Sequence, residues 1–277
     1  MKSRPDWHCV NHPKSDTDMI AYFSGTGNTE YVARSIANLI GNDTVEIAKT
    51  DPKSLYFSGS FFCLCFPIHS WGVPGIVLSF IDSLSDEFVN RLNGEHIPVI
   101  AVCTCGDDTG LAPEMLANAL AKKGIELKGC WSVQMPNTYV LLPGFDVDSV
   151  KTERWKLAKA PGRIHKIVED IKRKDWKVDV TRGSLPWLKT KVVYPMTRLW
   201  RCNPKKFTVS QECIGCGRCV AACPTGNIRM RTGHPSWGMN CTSCLACYHS
   251  CPTRALGYNN RTEGKGQYYC PLHPIKK

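Results

Sequence analysis

Eight of the chain's 16 cysteines stand in two copies of one spacing. Cys213, Cys216, Cys219 and Cys223 form C-x2-C-x2-C-x3-C, followed by Pro224; Cys241, Cys244, Cys247 and Cys251 repeat it, followed by Pro252, with a period of 28 residues. Flanking positions repeat too, Thr225 with Thr253 and Ile228 with Leu256. Soft thiolates select iron–sulfur centres or zinc. Zinc sites usually place two cysteine pairs on separate knuckles, whereas three cysteines at i, i+3 and i+6 wrap one cube, so the spacing predicts two [4Fe-4S] clusters. A segment of about 60 residues seldom builds a sufficient core alone, and cluster binding then supplies folding energy. Gly215, Gly217, Ala221, Ala222, Ser243 and Ala246 are small enough to bring backbone N–H groups to cluster sulfurs. Ile214, Val220, Ile228, Leu245 and Leu256 are expected to exclude water.

Residues 207–259 resemble the bacterial two-[4Fe-4S] ferredoxins. In those proteins the cysteine before the proline ligates the other cluster. The resemblance therefore assigns Cys213, Cys216, Cys219 and Cys251 to one cluster, and Cys241, Cys244, Cys247 and Cys223 to the second. Cys63, Cys65, Cys103, Cys105 and Cys130 fall in or beside expected strands, where buried thiols act as small hydrophobes. Cys202 and Cys270 flank the repeat.

The opening MKSRPDWHCVNHPKSD has no apolar stretch of signal-peptide type, and runs such as FFCLCFPI are too short to cross a bilayer. Clustered cysteines in such a chain point to metal rather than disulfides, and to the cytoplasm. Residues 1–17 read as a polar tail. The formal net charge is +11, and 180–211 carry seven Lys and Arg with no acid. That stretch is either a solvated face or a docking face for an acidic partner. No nucleic-acid-binding module accompanies the charge.

From Met19 strands alternate with helices. Expected strands are Met19–Phe23, Thr44–Ala48, Phe61–Pro67, Ile97–Cys103 and Ile125–Val133; expected helices are Glu30–Ile40, Val73–Leu84, Pro113–Lys123 and Val150–Lys174. This alternation indicates an α/β parallel sheet covered on both faces. Residues 179–206 are basic and aromatic-rich, and Pro186 and Pro195 are expected to interrupt any long helix. Such a segment can lie on a membrane surface or pack one domain on the other; packing is the preferred expectation because it takes the aromatics out of water.

The first strand runs into Ser24-Gly25-Thr26-Gly27-Asn28-Thr29 and then a helix. Hydroxyls, flexible glycines and a helix N-terminus suit a phosphate dianion; the alternative is an ordinary hydroxyl-capped βα turn. Neither G-x-G-x-x-G nor Gly-Lys-Ser/Thr is present, so a terminal phosphate that stays in place fits better than one being transferred. The loop resembles the FMN-phosphate loop of flavodoxins, Ser/Thr-x-Thr-Gly-x-Thr, at every position. The resemblance implies a flavodoxin-like, doubly wound, five-stranded parallel sheet of order 2-1-3-4-5 over 18–178, a linker over 179–206, and a smaller α+β ferredoxin-like domain over 207–270.

It also implies that loops after later strands surround FMN: Pro67, Ile68, His69, Ser70, Trp71 and Gly72 after the third, and Cys103, Thr104, Cys105, Gly106 and Asp107 after the fourth. Trp71 is the candidate for stacking on the ring, or else caps the core edge. Met135–Tyr139 can reach the same crevice, with Tyr139 as its candidate contact. His69, Asp107 and Asp108 are the candidate proton donors. With both halves present, residues 18–260 or so resemble flavodoxin–ferredoxin fusion proteins, also described as flavodoxin/ferredoxin-dependent reductases. The expected function is electron transfer between two [4Fe-4S] clusters and FMN, coupling a one-electron protein donor to a flavin-dependent reduction. An acidic ferredoxin or flavodoxin is the expected partner, and a small-molecule acceptor would make the chain an oxidoreductase. A pure carrier, or a redox subunit or sensor of a larger complex, are the alternatives.

Overall fold

A computed structural model describes residues 18–56, 58–199 and 203–272. The expected N-terminal tail, Cys202 and Trp200 lie outside these residues. Strands β1 (Met19–Tyr22), β2 (Thr44–Glu46), β3 (Phe62–Pro67), β4 (Val99–Cys105), β5 (Leu127–Gln134) and β6 (Val178–Asp179) form one sheet of order β2-β1-β3-β4-β5-β6. Every pairing in it is parallel. This is a doubly wound, flavodoxin-like sheet with six strands rather than the five expected.

The added strand is too short to announce itself in sequence. Arg163 holds it to its neighbour: its guanidinium donates to Asp179 Oδ2 and to the Asp179 carbonyl, both at 2.7 Å, and to the Ser132 carbonyl at 2.9 Å. β4 also continues two residues past its expected end, to Cys105.

Side-chain alternation divides the core into two layers. Phe62, Leu64 and Phe66 point to the face covered by helices α2 (Gly75–Asp82), α3 (Asp86–Gly94) and α4 (Ala112–Ala121). Cys63 and Cys65 point to the face covered by α1 (Asn28–Ile40) and α5 (Val150–Lys172). The five strand cysteines are buried free thiols, used as the apolar filler expected of them. Helix α3 was not anticipated, although its signals are present: Ser85 caps it by accepting from Phe88 N–H, and Asp86 and Glu87 fill its first turn.

Residues 186–199 are helical throughout, contrary to the expected break at Pro195. Pro186–Leu188 and Tyr194–Leu199 are joined by a π-turn over Lys189–Val193, in which Tyr194 N–H bonds to the Lys189 carbonyl. Widening to i→i+5 lets the helix pass Pro195, which has no N–H to donate.

The C-terminal module has two antiparallel pairs, β7 (Phe207–Val209) with β10 (Leu256–Tyr258), and β8 (Ile228–Arg231) with β9 (His234–Trp237). The 28-residue sequence repeat is also a backbone repeat. Left-handed residues occur at Gly215 and Ser243, at Gly217 and Leu245, and at Gly226 and Arg254. The first copy uses glycine at all three sites, where positive φ costs nothing. The second copy does not, and Leu245 shows why. Its side chain is 2% exposed and packs with Val140, Leu141, Tyr248 and Tyr258, which joins the module to the loop after β5.

Leu245→Gly sets about 1 kcal/mol of backbone relief against about 2 kcal/mol of lost burial. The burial term is the larger. The variant should keep its iron but be cut faster between the modules in limited proteolysis; equal cutting rates would show that Leu245 does not anchor the seam.

Candidate functional site

Two sets of cysteines converge in the C-terminal module. Cys213, Cys216, Cys219 and Cys251 line one small cavity together with Ile214 and Met230. Burial raises the Cys219 thiol above its ordinary value, and the nearby Cys216 and Cys251 add to the push. The second set is Cys223, Cys241, Cys244 and Cys247. Burial pushes Cys244 up to about 11, with Cys241 and Cys223 adding to it; burial also raises Cys241, and then Cys247, which feels Cys244, Cys241 and Cys223. Cys213, Cys216, Cys219 and Cys251 thus share one cavity, and Cys223, Cys241, Cys244 and Cys247 lie near enough to interact with one another.

Thiols raised in this way need a bound cation to become thiolates. The surroundings fit a cluster. Asn227 N–H points at Cys223 Sγ (3.2 Å) and Ser243 N–H at Cys241 Sγ (3.4 Å). Thr225 and Thr253, repeat equivalents, lie 3.7 and 3.8 Å from Cys223 and Cys251 sulfurs.

At the C-terminal ends of β1, β3, β4 and β5 lies a cavity of ≈ 530 Å³. Its walls include Ser24, Gly25, Thr26, Asn28 and Thr29 after β1, Pro67 to Ser70 after β3, Thr104 to Gly106 at the end of β4, and Met135 to Tyr139 after β5. The C-terminal module closes it with Thr225 and Asn240 to Cys244, and the linker helix contributes Tyr194 and Thr197. Among the described residues the lining has no Lys, Arg, Asp or Glu. Tyr194, Thr197 and the Asn240–Cys244 wall were not anticipated, because only the fold brings these distant segments to the sheet.

The β1–α1 loop is built to receive an anion. Gly27 is left-handed (φ 89°) and no side chain caps α1, so the helix's first N–H groups are not taken by a cap. Ser24 Oγ is buried with no hydrogen-bond partner among the described residues, which is costly unless a ligand satisfies it. Thr29 Oγ1 shares a hydrogen bond of 2.7 Å with Thr104 Oγ1. These features fit a flavin mononucleotide phosphate, with a neutral cavity beside it for the ring.

His69 lines the cavity, and burial pushes its pKa down to about 4. It is therefore neutral at pH 7, with one N–H to offer. The two expected acids are elsewhere. Asp107 faces Lys156 (3.5 Å) and Asn137 (3.3 Å), and Asp108 pairs with Lys189 at 2.5 Å. Neither lines the cavity. Lys156, also paired with Asp148 at 2.7 Å, ties the β4 and β5 loops together from behind.

Gly27, Gly72, Trp71 and Cys103 are also absent from the lining. Cys103 is inside β4, its thiol donating to the Trp131 carbonyl. Trp71 faces Phe145 (6.2 Å between ring centroids) and Lys189 Nζ (5.3 Å) instead of the cavity. It belongs to a tight turn in which His69 and Gly72 exchange two 3.0 Å backbone bonds while Ser70 and Trp71 are left-handed. The linker helix clamps this turn. Thr190 Oγ1 donates to the Trp71 carbonyl, Tyr194 OH donates to the Val73 carbonyl, and the Tyr194 ring covers Gly72, where any Cβ would overlap it.

The modules meet over the phosphate-type loop. A Cβ on Gly25 would stand 2.9 Å from Cys244 Cβ and 3.2 Å from its carbonyl oxygen. His249 accepts from Tyr268 N–H at Nδ1 (3.1 Å), so Nε2 carries the proton and donates to the Thr138 carbonyl (2.7 Å). Tyr268 OH reaches Asn28 Oδ1 (2.8 Å), Asn28 Nδ2 reaches the Pro136 carbonyl (3.0 Å), and Cys270 N–H reaches the Thr26 carbonyl (2.9 Å).

Residues 212–256 match the family described as 4Fe-4S dicluster domain. Comparison with curated proteins gives no match. Similar solved structures include a flavodoxin from the domain Archaea (16% identity over 56% of this chain and 99% of that one, TM-score 0.37). Flavodoxin 2 from Bacillus cereus is similar at 17% identity over 55% and 99% (TM-score 0.34). Two-electron reduced Megasphaera elsdenii flavodoxin is similar at 22% over 42% and 85% (TM-score 0.32). The architecture of the larger module rests on its strand order, and the iron–sulfur character of the smaller one on its cysteine sets and the dicluster match.

Ser24→Ala should move two measurements in opposite directions. The cofactor-free protein should gain about 1 kcal/mol in thermal or urea unfolding, because an unsatisfied buried hydroxyl is gone, while FMN affinity in a fluorescence titration should fall about tenfold. A loss in both would mean that the hydroxyl is merely structural. Gly25→Ala should push on Cys244 and alter the EPR signal of one cluster only; two unchanged signals would count against the contact.

Proposed function

We propose that this chain passes electrons from a protein donor through two [4Fe-4S] clusters to FMN in the cavity above the sheet, as a flavodoxin–ferredoxin fusion protein. One observation carries the reading: the loop of the second cysteine set, Cys241 to Cys244, is itself a wall of the cavity and rests on Gly25. Direct packing of this kind leaves no intervening layer between a centre held there and a flavin.

The same geometry supports an order for the relay in space. The Cys223, Cys241, Cys244 and Cys247 set is the inner one. The Cys213, Cys216, Cys219 and Cys251 set is the outer one, with Cys216 and Ile214 exposed. Exposed Arg218, Arg229, Arg231 and Arg254 lie on the segments that frame the outer set. They suit an acidic donor protein, steered in by charge.

Clusters carry single electrons, and FMN when bound can take one or two, which couples one-electron carriers to a two-electron acceptor. The chain's own residues do the rest. Ser24, Thr26, Thr29 and the N-terminus of α1 hold the phosphate. Tyr194, Pro67 and Ile68 shield the ring site from water. Neutral His69 offers one N–H at the cavity wall to an acceptor bound there, and of the three expected donors it alone lines the cavity.

Anaerobically purified protein should contain roughly eight irons and one FMN per chain. Four irons, or zinc, would overturn the assignment. Mixed with a reduced acidic ferredoxin, the wild type should reduce its flavin, and Cys216→Ala should slow that step by about tenfold or more while leaving FMN bound. Clusters that reduce while the flavin stays oxidised would defeat the relay.

A further inference from the structure

The linker helix leaves a surface that the relay does not use. One face packs on the larger module through buried Thr190 and Tyr194. Leu185, Leu188, Val192 and Met196, spaced by three, four and four residues, are 68%, 43%, 39% and 49% exposed, and Trp187 is 62% exposed. The expectation that the linker's aromatics are packed away from water therefore fails for Trp187. A stripe at helical spacing opposite a packed face is an amphipathic helix lying flat on the protein. Its outer side is apolar where a solvated helix is polar.

We propose that this face binds in the plane of an anionic lipid surface, with Leu185, Leu188, Val192 and Met196 in the acyl boundary and Trp187 at the headgroups. Charge decides between the possible occupants. Residues 180–211 contain seven cations and no acid. Arg182 and Lys189 are already paired with Glu114 and Asp108, while Lys191, Lys205 and Lys206 are exposed. A second copy of a chain with net charge +11 would set like charge against like charge here. Anionic headgroups complement it, each nearby cation adding attraction within a Debye length. A helix already folded and fixed to the body meets a lipid surface without a further ordering cost. Because Tyr194 and Thr197 of this helix also line the cavity, the surface would hold the cavity mouth close to the bilayer.

The test is anaerobic co-sedimentation of the full, cofactor-loaded chain with vesicles of phosphatidylcholine alone or with about one-third phosphatidylglycerol. Binding is expected to the anionic vesicles only, and to weaken in high salt. Leu188→Glu combined with Val192→Glu should lower the bound fraction about tenfold with cluster and flavin absorbance unchanged. Lys191→Glu with Lys205→Glu and Lys206→Glu should lower it less and flatten the salt dependence. Wild-type protein that stays in the supernatant with anionic vesicles overturns the proposal, as does a double variant that sediments fully. A wild-type dimer in sedimentation equilibrium that the double variant dissolves also overturns it, by making the occupant a second copy. So does an acidic protein that protects the stripe while vesicles do not bind.

Discussion

The seam between the two modules is the constraint on which the site depends. A parallel sheet leaves a crevice at the carboxyl ends of its strands, and in this chain the cysteine-rich module forms one wall of that crevice. Three kinds of interaction hold it there. Leu245 buries an apolar side chain against Val140 and Leu141 despite a left-handed backbone. His249 spans Thr138 and Tyr268. The segment after the module returns through Tyr268 and Cys270 to the loop that opens α1. Gly25 and Cys244 share one contact, so the seam positions the cavity wall and a cysteine of the inner set together.

The two cysteine copies have diverged where their neighbours differ. The outer copy keeps glycine at its left-handed positions and faces solvent; the inner copy accepts Ser243 and Leu245 at the equivalent positions and faces protein. Burial differs between the two sets. Cys216 of the outer set is exposed, whereas Cys223, Cys241 and Cys244 are partly buried and Cys247 is buried in the set beside the cavity. The neutral lining extends the same logic: hydroxyls and one uncharged histidine surround a space from which all formal charge is held back, with Asp107 and Asp108 engaged by lysines behind it.

The linker joins these parts physically. Its helix clamps the strained His69–Gly72 turn, contributes two side chains to the cavity and shows an apolar stripe outward. A contact on the outer face of this helix is one turn away from residues that shape the cavity, so events at the surface and at the site share one rigid element.

Much was legible in the residues themselves. Strict thiol spacing carries the iron–sulfur reading, because ligand geometry is local and leaves little freedom. The β1–α1 loop is legible for the same reason: hydroxyls, glycines and a helix start are contiguous in the chain. Alternation of apolar runs carried the parallel sheet, short only of the two-residue β6, whose pairing depends on a guanidinium from α5 rather than on its own residues. What tertiary structure decided was which groups face one another. Trp71 had the right place in sequence for stacking, but a left-handed turn aims it at Phe145 and Lys189. Asp107 and Asp108 had the right loop, but Lys156 and Lys189 draw them aside. Tyr194, some 120 residues further on, is held at the cavity by its hydrogen bond to the Val73 carbonyl and by its ring lying over Gly72. The two cysteine quartets were written in the chain; that one of them forms the wall of the cavity follows only from packing between distant segments, which no local pattern encodes.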